Sequence, residues 1–584
     1  MSSEKRLSYY ISKSKKLDEI KFDKKIKLAI LSSFTLNGLE ETIRVKCAEN
    51  KIQCLTYLAG YNQYNQEILK EDSTLYHFLP EITFLILDTR SMLTNLFYYP
   101  YAISQIQRKE FIQNKVEEII KLITTFTQKS KSKLIISNLN IPTYSPYGIF
   151  EQKIEYGIQE MISDFNKKLS NAIRDESSVY TFDFNGFITK YGETNVFDYR
   201  QYFFGDIKIS LNYIPYFADE VMSYIKSVLG LNKKCIVLDL DNTLWGGIVG
   251  EDEFEGIKLG DDPVGKTFVE FQHQILALHN RGIILAINSK NNFDDAIKVI
   301  KEHPNMVLRE EHFASLKINW NDKLSNFHEI SNELNIGLDS MVFFDDDPVN
   351  REYIRRNIPE VLVVDLPTDP SYYASLLPSM NDFNILKITE EDVNRGKMYV
   401  QQRQRTELQN KLENFDDFIK QLNMKIRIKH ANDYTIPRIS QLTLKTNQFN
   451  LTTKRYQEED IRKFSKDKTK MVGCAQVEDK FGDNGITGVY IINKDNPDEW
   501  TIDTFLLSCR VIGRGIEDGI LYYIIQKAKE AGVKRIKCKF IPTKKNKPAE
   551  DFLPNFGFKK EGENWIYSIS DHVKKNLELE IIVE

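Results

Sequence analysis

Long hydrophobic runs and a marked net charge of either sign are both missing from this 584-residue sequence. No apolar stretch approaches the roughly 20 residues that a membrane-spanning helix requires, and the first residues lack the apolar segment of a secretory signal. The 79 Lys and Arg nearly balance the 83 Asp and Glu, so no overall field attracts nucleic acid or an acidic membrane. We expect a soluble, cytoplasmic protein with no nucleic-acid or membrane partner.

Cysteine is scarce as well. The sequence contains six cysteines and no C-x-x-C pair, which argues against a disulfide framework and against a zinc knuckle. A reducing compartment fits this usage best.

The length and the 41% hydrophobic content favour three or four domains of about 100 to 200 residues each. Short apolar runs alternate with helical stretches in the first two thirds of the chain, a pattern typical of α/β domains. Thr389-Glu-Glu-Asp392 resembles a variant capping box at the start of a polar linker helix. We predict an α/β domain at 1–230, a doubly wound parallel sheet at 231–387, a helical linker at 388–413 and an α+β domain at 414–584.

The central domain is predicted from five apolar runs that are separated by helical patterns. The predicted strands lie near residues 235–240, 283–288, 306–309, 340–344 and 361–364. Ligands of such sheets bind beyond the carboxyl ends of the strands, so polar residues directly after these runs are candidate site residues.

Two aspartates end the first of these strands. Asp239 and Asp241 are two positions apart, so both side chains can project toward the same crevice. A carboxylate there can attack phosphorus as a nucleophile, while a second carboxyl group protonates the leaving group and later activates water. The pattern predicts phosphoryl transfer with Asp239 as the nucleophile and Asp241 as the acid and base.

A phosphate beside two carboxylates needs a cation. Asp345 and Asp346 follow another strand and supply hard oxygen ligands suited to Mg²⁺, so we predict a magnesium site formed by these residues with Asp239 and Asp241. We assign phosphate binding to three further residues, Thr243, Ser289 and Lys323. Paired aspartates also occur as turn or cap residues, and the combination in order along one domain is what favours a catalytic site.

These motifs resemble those of the haloacid dehalogenase (HAD) superfamily. The segments Asp239-Leu-Asp-Asn-Thr-Leu-Trp-Gly-Gly247, Asn319-Trp-Asn-Asp-Lys323 and Phe344-Asp-Asp-Asp-Pro348 resemble its FkbH-like branch, and the similarity reaches Thr446-Asn-Gln-Phe-Asn-Leu-Thr-Thr-Lys-Arg455. Asp347 departs from the asparagine that this branch leads us to expect. The resemblance implies transfer of a glyceryl unit from 1,3-bisphosphoglycerate to the phosphopantetheine thiol of an acyl carrier protein, in polyketide or other secondary-metabolite biosynthesis.

The spacing predicts an open site. Lys323 lies 34 positions after Ser289, which leaves room for a helix and a strand but not for a separate lid domain. The segment 245–260 is predicted to be a small flap, in which Trp245 either packs the flap or contacts substrate.

The C-terminal domain contains a glycine turn between a strand and a helix. Backbone amides at such a turn suit a pyrophosphate or phosphate ester, although the same pattern also occurs in ordinary turns. The segment Asn546-Lys-Pro-Ala549 and the turn resemble GNAT acetyltransferases, which implies pantetheine and pyrophosphate binding. Leu553 stands where many members have a catalytic tyrosine, so amine acetylation is not expected. The predicted binding residues are Arg510, Gly513, Arg514 and Gly515.

Cys509 directly precedes this turn. We hypothesise that its thiolate accepts the acyl group from the acyl phosphate and passes it to the carrier thiol. The alternative is a small buried hydrophobic residue on a strand.

The N-terminal α/β domain faintly resembles the SGNH hydrolase fold, with Ser32 and Ser33 after its first predicted strand and Asn138 after a later one. His77 is its one histidine, and no D-x-x-H motif occurs near its end, so we expect a scaffold or docking domain and not a hydrolase.

Two alternatives to glyceryl transfer stay open. One is a HAD-type phosphatase of a small metabolite or phosphoprotein, and the other is a non-catalytic factor that recruits carrier proteins.

Overall fold

The computed structural model describes residues 6–17, 20, 22, 24–388, 390–410, 412, 414–543, 546–569 and 579–584. The chain forms two compact units. The first comprises the residues up to Asn232 together with Met380–Lys387, and the second comprises Lys233–Ser379 and the residues from Ile388 onward. The predicted α/β class with parallel sheets is confirmed.

The first unit is built on a five-stranded sheet of order β2-β1-β3-β4-β5 with all neighbours parallel. Its strands are short and apolar because both faces are covered by helices. The elements are α1 (Leu7–Ser14), β1 (Lys24–Ser32), α2 (Leu39–Glu49), β2 (Ile52–Leu58), α3 (Tyr64–Leu69), α4 (Thr74–Phe78), β3 (Ile82–Ile86), α5 (Thr89–Leu93), α6 (Gln105–Lys129), β4 (Lys133–Ser137), α7 (Ile158–Ile173), β5 (Val179–Phe182), α8 (Phe184–Tyr191), α9 (Glu193–Val196), α10 (Tyr199–Gly205) and α11 (Ile214–Val228).

The second unit begins with a five-stranded parallel sheet of order β10-β9-β6-β7-β8. Four of its strands overlap predicted ones. The elements are β6 (Cys235–Leu238), α12 (Val249–Gly256), α13 (Gly265–Asn280), β7 (Ile284–Ser289), α14 (Phe293–Glu302), β8 (Phe313–Ile318), α15 (Lys323–Leu334), β9 (Met341–Phe344), α16 (Pro348–Asn357), β10 (Leu362–Val363) and α17 (Tyr373–Leu376).

The prediction of a strand at Met306–Arg309 is wrong. This segment is irregular, and the amides of Val307 and Leu308 donate to the side-chain oxygen Oε1 of Gln272 over 2.9 and 3.0 Å and not to a neighbouring strand. The strand lies at Phe313–Ile318, which pairs with β7.

The rest of the second unit is a long helix followed by a mixed nine-stranded sheet. Its main path is β17-β18-β16-β15-β14-β13-β11-β19, and β12 pairs with β15 off this path. The elements are α18 (Glu390–Asn410), α19 (Phe415–Leu422), β11 (Lys425–His430), α20 (Ile436–Lys445), β12 (Phe449–Asn450), α21 (Glu458–Lys466), β13 (Lys470–Asp479), β14 (Gly482–Asn493), β15 (Glu499–Leu507), α22 (Ile516–Glu530), β16 (Arg535–Cys538), α23 (Phe552–Phe556), β17 (Lys559–Glu561), β18 (Asn564–Ser568) and β19 (Glu580–Val583).

Helix α18 packs against both sheets of the second unit. It contacts β8 and α13 of the central sheet domain and β14 of the C-terminal sheet. Arg405 on α18 forms a bidentate, fully buried ion pair with Asp479, with Nε–Oδ2 and Nη2–Oδ1 distances of 2.6 and 2.8 Å. Thr389, which begins the predicted capping box, lies outside the described residues.

No helix in the described part of the chain has both the length and the apolar character needed to cross a membrane.

Candidate active site

The carboxyl ends of β6 and β9 bring three aspartates together. These neighbouring parallel strands end at Leu238 and Phe344, so the residues that follow them emerge side by side. In the described part of the chain, carboxylate oxygens of Asp239, Asp345 and Asp346 lie within 4.8 Å of one another. Three hard oxygen ligands at this separation fit Mg²⁺, which prefers carboxylates and retains water in its other positions.

Lys323 neutralises part of this charge. It begins α15, and its buried ammonium lies 3.0 Å from Asp239 Oδ2 and 2.6 Å from Asp345 Oδ2. Burial alone lowers the pKa of Lys323, but the two carboxylates outweigh burial and raise the pKa overall. Lys323 therefore remains charged and fixes the orientation of Asp239.

The surroundings of Asp345 and Asp346 disfavour the ionised form of both carboxyl groups. Burial and the charge of Asp239 raise the pKa of Asp345 to about 6, although the coupled Lys323 opposes this shift. Burial and the charges of Asp239 and Asp345 raise the pKa of Asp346 to about 6. A bound divalent cation would favour the ionised form of each group.

The Asp241 carboxylate is not part of the three-residue group. Its Oδ1 accepts from Trp245 Nε1 over 2.8 Å and from the Val249 amide over 3.1 Å, and its Oδ2 accepts from Asn291 Nδ2 over 2.9 Å. Burial raises the pKa of Asp241 in spite of these donors. A fixed carboxyl group with a raised pKa is suited to proton transfer.

Trp245 and Asn291 thus position Asp241. Trp245 is predicted either to pack the flap or to contact substrate. It is fully buried and donates to Asp241, so the structure places it in packing. The sequence analysis missed Asn291, whose amide also reaches Ser289 Oγ over 3.4 Å. The signal that could have found it is the polar run Ser289-Lys-Asn-Asn292 directly after β7.

The other predicted phosphate-binding residues border the same crevice. Thr243 Oγ1 accepts from the Asp346 amide over 3.2 Å, which ties the loop after β6 to the loop after β9. Ser289 is the last residue of β7 and is buried. Asp347 caps α16 by accepting from the Val349 amide over 2.8 Å and does not join the aspartate group.

The flap after β6 contains α12, and the two ends of the flap pair with each other through backbone hydrogen bonds. Gly246 and Lys258 exchange two backbone hydrogen bonds of 3.0 and 2.7 Å. A side chain at Gly246 would lie 2.9 Å from the Phe268 ring, so glycine permits this close approach. The flap is small, as predicted.

The C-terminal turn lies between β15 and α22. Gly513 and Gly515 have φ values of +76° and +79°, which glycine adopts without strain. Arg510 donates to Met398 Sδ and covers the Tyr399 ring, and Arg514 donates to Gln402 Oε1 over 2.9 Å. Both arginines therefore contact α18.

Cys509 begins a single 3-10 turn directly after Ser508. Its side chain lies outside the described residues.

The outer half of β15 separates from β16. The two strands pair through Ile502, and beyond this point the segment 449–452 fills the space between them. The Leu451 amide donates to Phe505 O over 3.0 Å, and Leu451 O accepts from the Ile541 amide over 2.8 Å. Asn546, which is fully buried, donates to Asn450 O over 3.0 Å. This edge of β15 is thus already paired within the chain.

A family model for the N-terminal domain of FkbH matches residues 27–226. A comparison with curated proteins gave no match. Two solved acetyltransferases each cover about a quarter of the chain: a spermidine N-acetyltransferase from Vibrio cholerae (13% identity, 96% of that chain, TM-score 0.21) and a GNAT-family protein from Staphylococcus aureus (15%, 99%, 0.20). Likenesses this low support no statement about activity.

The N-terminal part of the protein BF1531 from Bacteroides fragilis is much more similar. It contains a phosphatase domain and was crystallised with Mg; it is 29% identical, with a TM-score of 0.59, over 66% of this chain and 99% of that one. Residues 27–226 therefore match the N-terminal domain of FkbH, and the chain that contains the aspartate group beside Lys323 is similar to a protein with a phosphatase domain that binds Mg.

Proposed function

We propose that this FkbH-like protein is a magnesium-dependent glyceryl transferase and phosphatase. Its substrate would be a three-carbon acyl phosphate, 1,3-bisphosphoglycerate, and its acceptor the phosphopantetheine thiol of an acyl carrier protein. The observation that carries the phosphoryl-transfer half is the placement of Asp239, Asp345 and Asp346 around Lys323.

In the phosphatase step, an Asp239 oxygen attacks phosphorus and the bond from phosphorus to the leaving oxygen breaks. Asp241 donates its proton to that oxygen and then takes a proton from the water that hydrolyses the aspartyl phosphate. Lys323, Ser289 and Thr243 would orient the phosphoryl oxygens. Mg²⁺ held by Asp239, Asp345 and Asp346 would neutralise charge on the phosphoryl group.

In the acyl-transfer step, the Cys509 thiolate would attack the acyl carbon of the acyl phosphate. A carbon–sulfur bond forms, the carbon–oxygen bond to phosphate breaks, and inorganic phosphate leaves. The carrier thiolate then attacks the thioester and releases Cys509, and the second phosphate is removed at Asp239.

Arg514 supports an anion site at the C-terminal turn. Its Nη1 is buried and has no hydrogen-bond partner among the described residues, and burial together with the charge of Arg405 lowers its pKa to about 10. A phosphate ester of the carrier arm at Arg510, Gly513, Arg514 and Gly515 would satisfy this donor.

A phosphatase without acyl transfer is the second candidate. It is favoured by the filled edge of β15 and by Glu517 and Asp518, which already place negative charge in the first turn of α22. In that case the C-terminal sheet supports the phosphatase domain through α18.

One assay separates the candidates. The protein is incubated with Mg²⁺, 1,3-bisphosphoglycerate and holo-acyl carrier protein, and then carrier mass and free phosphate are measured. We expect a glyceryl adduct on the carrier together with phosphate release. Phosphate release without an adduct would support the plain phosphatase, and neither product would support a recruiting factor.

The role of Cys509 is tested separately. Cys509→Ala should abolish the adduct but not phosphatase activity toward p-nitrophenyl phosphate, and Cys538→Ala, a buried cysteine on β16, should change neither. Full transfer by Cys509→Ala, with no acyl-enzyme detected in the parent by mass spectrometry, would contradict the assignment.

A further inference from the structure

The N-terminal unit contains a crevice that the proposed function does not use. In the order β2-β1-β3-β4-β5, the chain passes from β1 to β2 on one side of β1 and then from β2 to β3 on its other side. This reversal of direction opens a crevice beyond the carboxyl ends of β1 and β3. Ser33 follows β1 and Asp88 follows β3, and the Asp88 amide donates to Ser33 Oγ over 2.8 Å. Polar groups therefore converge where open α/β sheets bind ligands.

A buried ion pair lies in this crevice. The Lys208 ammonium contacts Asp88 Oδ1 and lies 4.4 Å from the centre of the Phe197 ring. Asp88 Oδ2 accepts from the amide and hydroxyl of Ser91. Burial lowers the pKa of Lys208 to about 7. Because a buried ion pair stabilises a fold less than apolar packing often does, its presence invites a functional explanation.

The ion pair borders a small cavity of about 20 Å³. This volume accommodates one small polar group. Polar side chains form one part of the wall and aromatic rings form another: Thr89, Arg90, Asn140 and Lys208, and Phe97, Phe197, Tyr199 and Tyr202.

The acidic residues of the wall are already engaged. Glu193 Oε2 accepts from the amide and hydroxyl of Thr143 over 2.8 and 2.7 Å. Asp198 Oδ1 accepts from the Gln201 amide over 3.0 Å and caps α10. The cationic residues among those that line the cavity are Arg90 and Lys208.

Arg90 is held by aromatic rings. Its guanidinium carbon lies 4.8 to 5.6 Å from the ring centres of Phe97, Tyr98, Tyr199 and Tyr202. Rings that cover the faces of a guanidinium leave its in-plane N–H groups for hydrogen bonding, and these match a carboxylate in a bidentate geometry.

The aromatic wall continues outward to the surface. Tyr98 and Tyr199 are about half exposed, and Phe203, whose ring lies 5.5 Å from that of Tyr202, is 74% exposed. An exposed aromatic surface beside a polar cavity is typical of a binding site for a ligand with a charged end and an apolar body.

We propose that this crevice binds an organic carboxylate. Its carboxylate group enters the cavity and accepts hydrogen bonds from Arg90 and Lys208, and its apolar or aromatic body lies on Tyr98, Tyr199 and Phe203. A phosphate ester is larger and more highly charged than this cavity favours, and a neutral ligand would offer no opposite charge to Arg90.

The test uses the full-length protein and isothermal titration with acetate, hexanoate and phenylacetate, with phenylacetamide as the neutral isostere. We expect phenylacetate and hexanoate to bind more tightly than acetate, and phenylacetamide to bind at least about 10-fold more weakly than phenylacetate because it lacks the charge. No binding of any carboxylate, or equal binding of the amide, overturns the proposal.

Two variants locate the site. Arg90→Gln should weaken phenylacetate binding at least about 10-fold. The double variant Asp88→Asn with Lys208→Met, which removes both buried charges together, should also weaken it. Both variants should hydrolyse p-nitrophenyl phosphate like the parent, so failure here is distinct from failure of the proposed function. Unchanged phenylacetate binding by Arg90→Gln would overturn the assignment.

Discussion

Asp239 and Lys323 form an ion pair in the phosphatase site. The lysine holds one oxygen of the carboxylate at 3.0 Å and also binds Asp345, so it keeps its place when either partner changes. A substitution of Asp239 should therefore change the reactivity of the site more than it changes the packing around the site.

We predict that Asp239→Asn abolishes the hydrolysis of phosphate monoesters. An amide oxygen is a poor nucleophile, so hydrolysis of p-nitrophenyl phosphate should fall by about a thousand-fold or more while the circular dichroism spectrum stays unchanged. Asp294→Asn, at an exposed position in the first turn of α14, is the matched control and should retain activity. With 1,3-bisphosphoglycerate, Asp239→Asn should leave a phosphoglyceryl adduct on the enzyme or carrier. Undiminished hydrolysis of p-nitrophenyl phosphate would contradict the assignment of Asp239 as the nucleophile.

Asp346 gives a prediction about pH and metal. Its pKa is about 6 in the folded chain against 3.8 normally, so the folded state binds more protons than the unfolded state between these values. Without metal, stability should fall as the pH rises through this range. Asp346→Asn should therefore raise the melting temperature of the metal-free protein above pH 6 and reduce the further rise produced by Mg²⁺.

The measurement is differential scanning fluorimetry at several pH values, with EDTA or with Mg²⁺. Asp347→Asn is the control, because Asp347 caps α16 and lies outside the aspartate group. An equal response to Mg²⁺ in Asp346→Asn and the parent would contradict a ligand role for Asp346.

Residues that follow strands could be predicted because the sequence marks them. Asp239, Ser289 and Asp345 each end or follow an apolar run, and parallel strands bring such positions to one edge. The positioning of Asp241 by Asn291 could not be predicted, because it depends on side-chain directions across two loops. The contacts of Arg510 and Arg514 with α18 join residues 112 positions apart and leave no local pattern.

At the scale of elements, helix α18 connects the two sheets of the second unit. The buried pair of Arg405 and Asp479 joins it to the C-terminal sheet, and it packs closely against α13 and the turn that follows α13. Gly282 has φ +103°, and a side chain there would collide with Asp392 O. The helix itself was predictable from its polar pattern, but these attachments were not.

We predict that Arg405→Met destabilises the protein by about 3–5 kcal/mol, since it leaves the Asp479 carboxylate buried without its cation. Arg405→Met combined with Asp479→Asn should recover much of this loss, because asparagine carries no charge and can still accept from the Phe481 amide. Urea unfolding followed by tryptophan fluorescence measures both. An equal loss in the single and double variants would show that packing and not charge dominates.

Strand β8 illustrates the limit of prediction at this scale. Both Met306–Arg309 and Phe313–Ile318 are short segments with buried apolar residues. The first satisfies two amides with the Gln272 side chain, whereas the second pairs with β7. Apolar content alone cannot distinguish a strand from a buried loop when a side chain supplies the hydrogen bonds.

At the scale of the whole molecule, the chain has two compact units with two separate candidate ligand sites. The magnesium site belongs to the second unit, and the crevice at Arg90 and Lys208 belongs to the first. A ligand stabilises the cooperative unit that contains its site, because it binds the folded form and not the unfolded one. The two units should therefore respond to different ligands.

We predict that calorimetric unfolding of the full-length protein gives two transitions. Mg²⁺ should raise the temperature of one, and phenylacetate should raise that of the other. Asp346→Asn should reduce the response to Mg²⁺ and leave the response to phenylacetate unchanged. Arg90→Gln should reduce the response to phenylacetate and leave the response to Mg²⁺ unchanged. If a single transition responded to both ligands in every variant, the two units would unfold together, and the independence of the two sites would have to be tested by binding measurements on the same pair of variants.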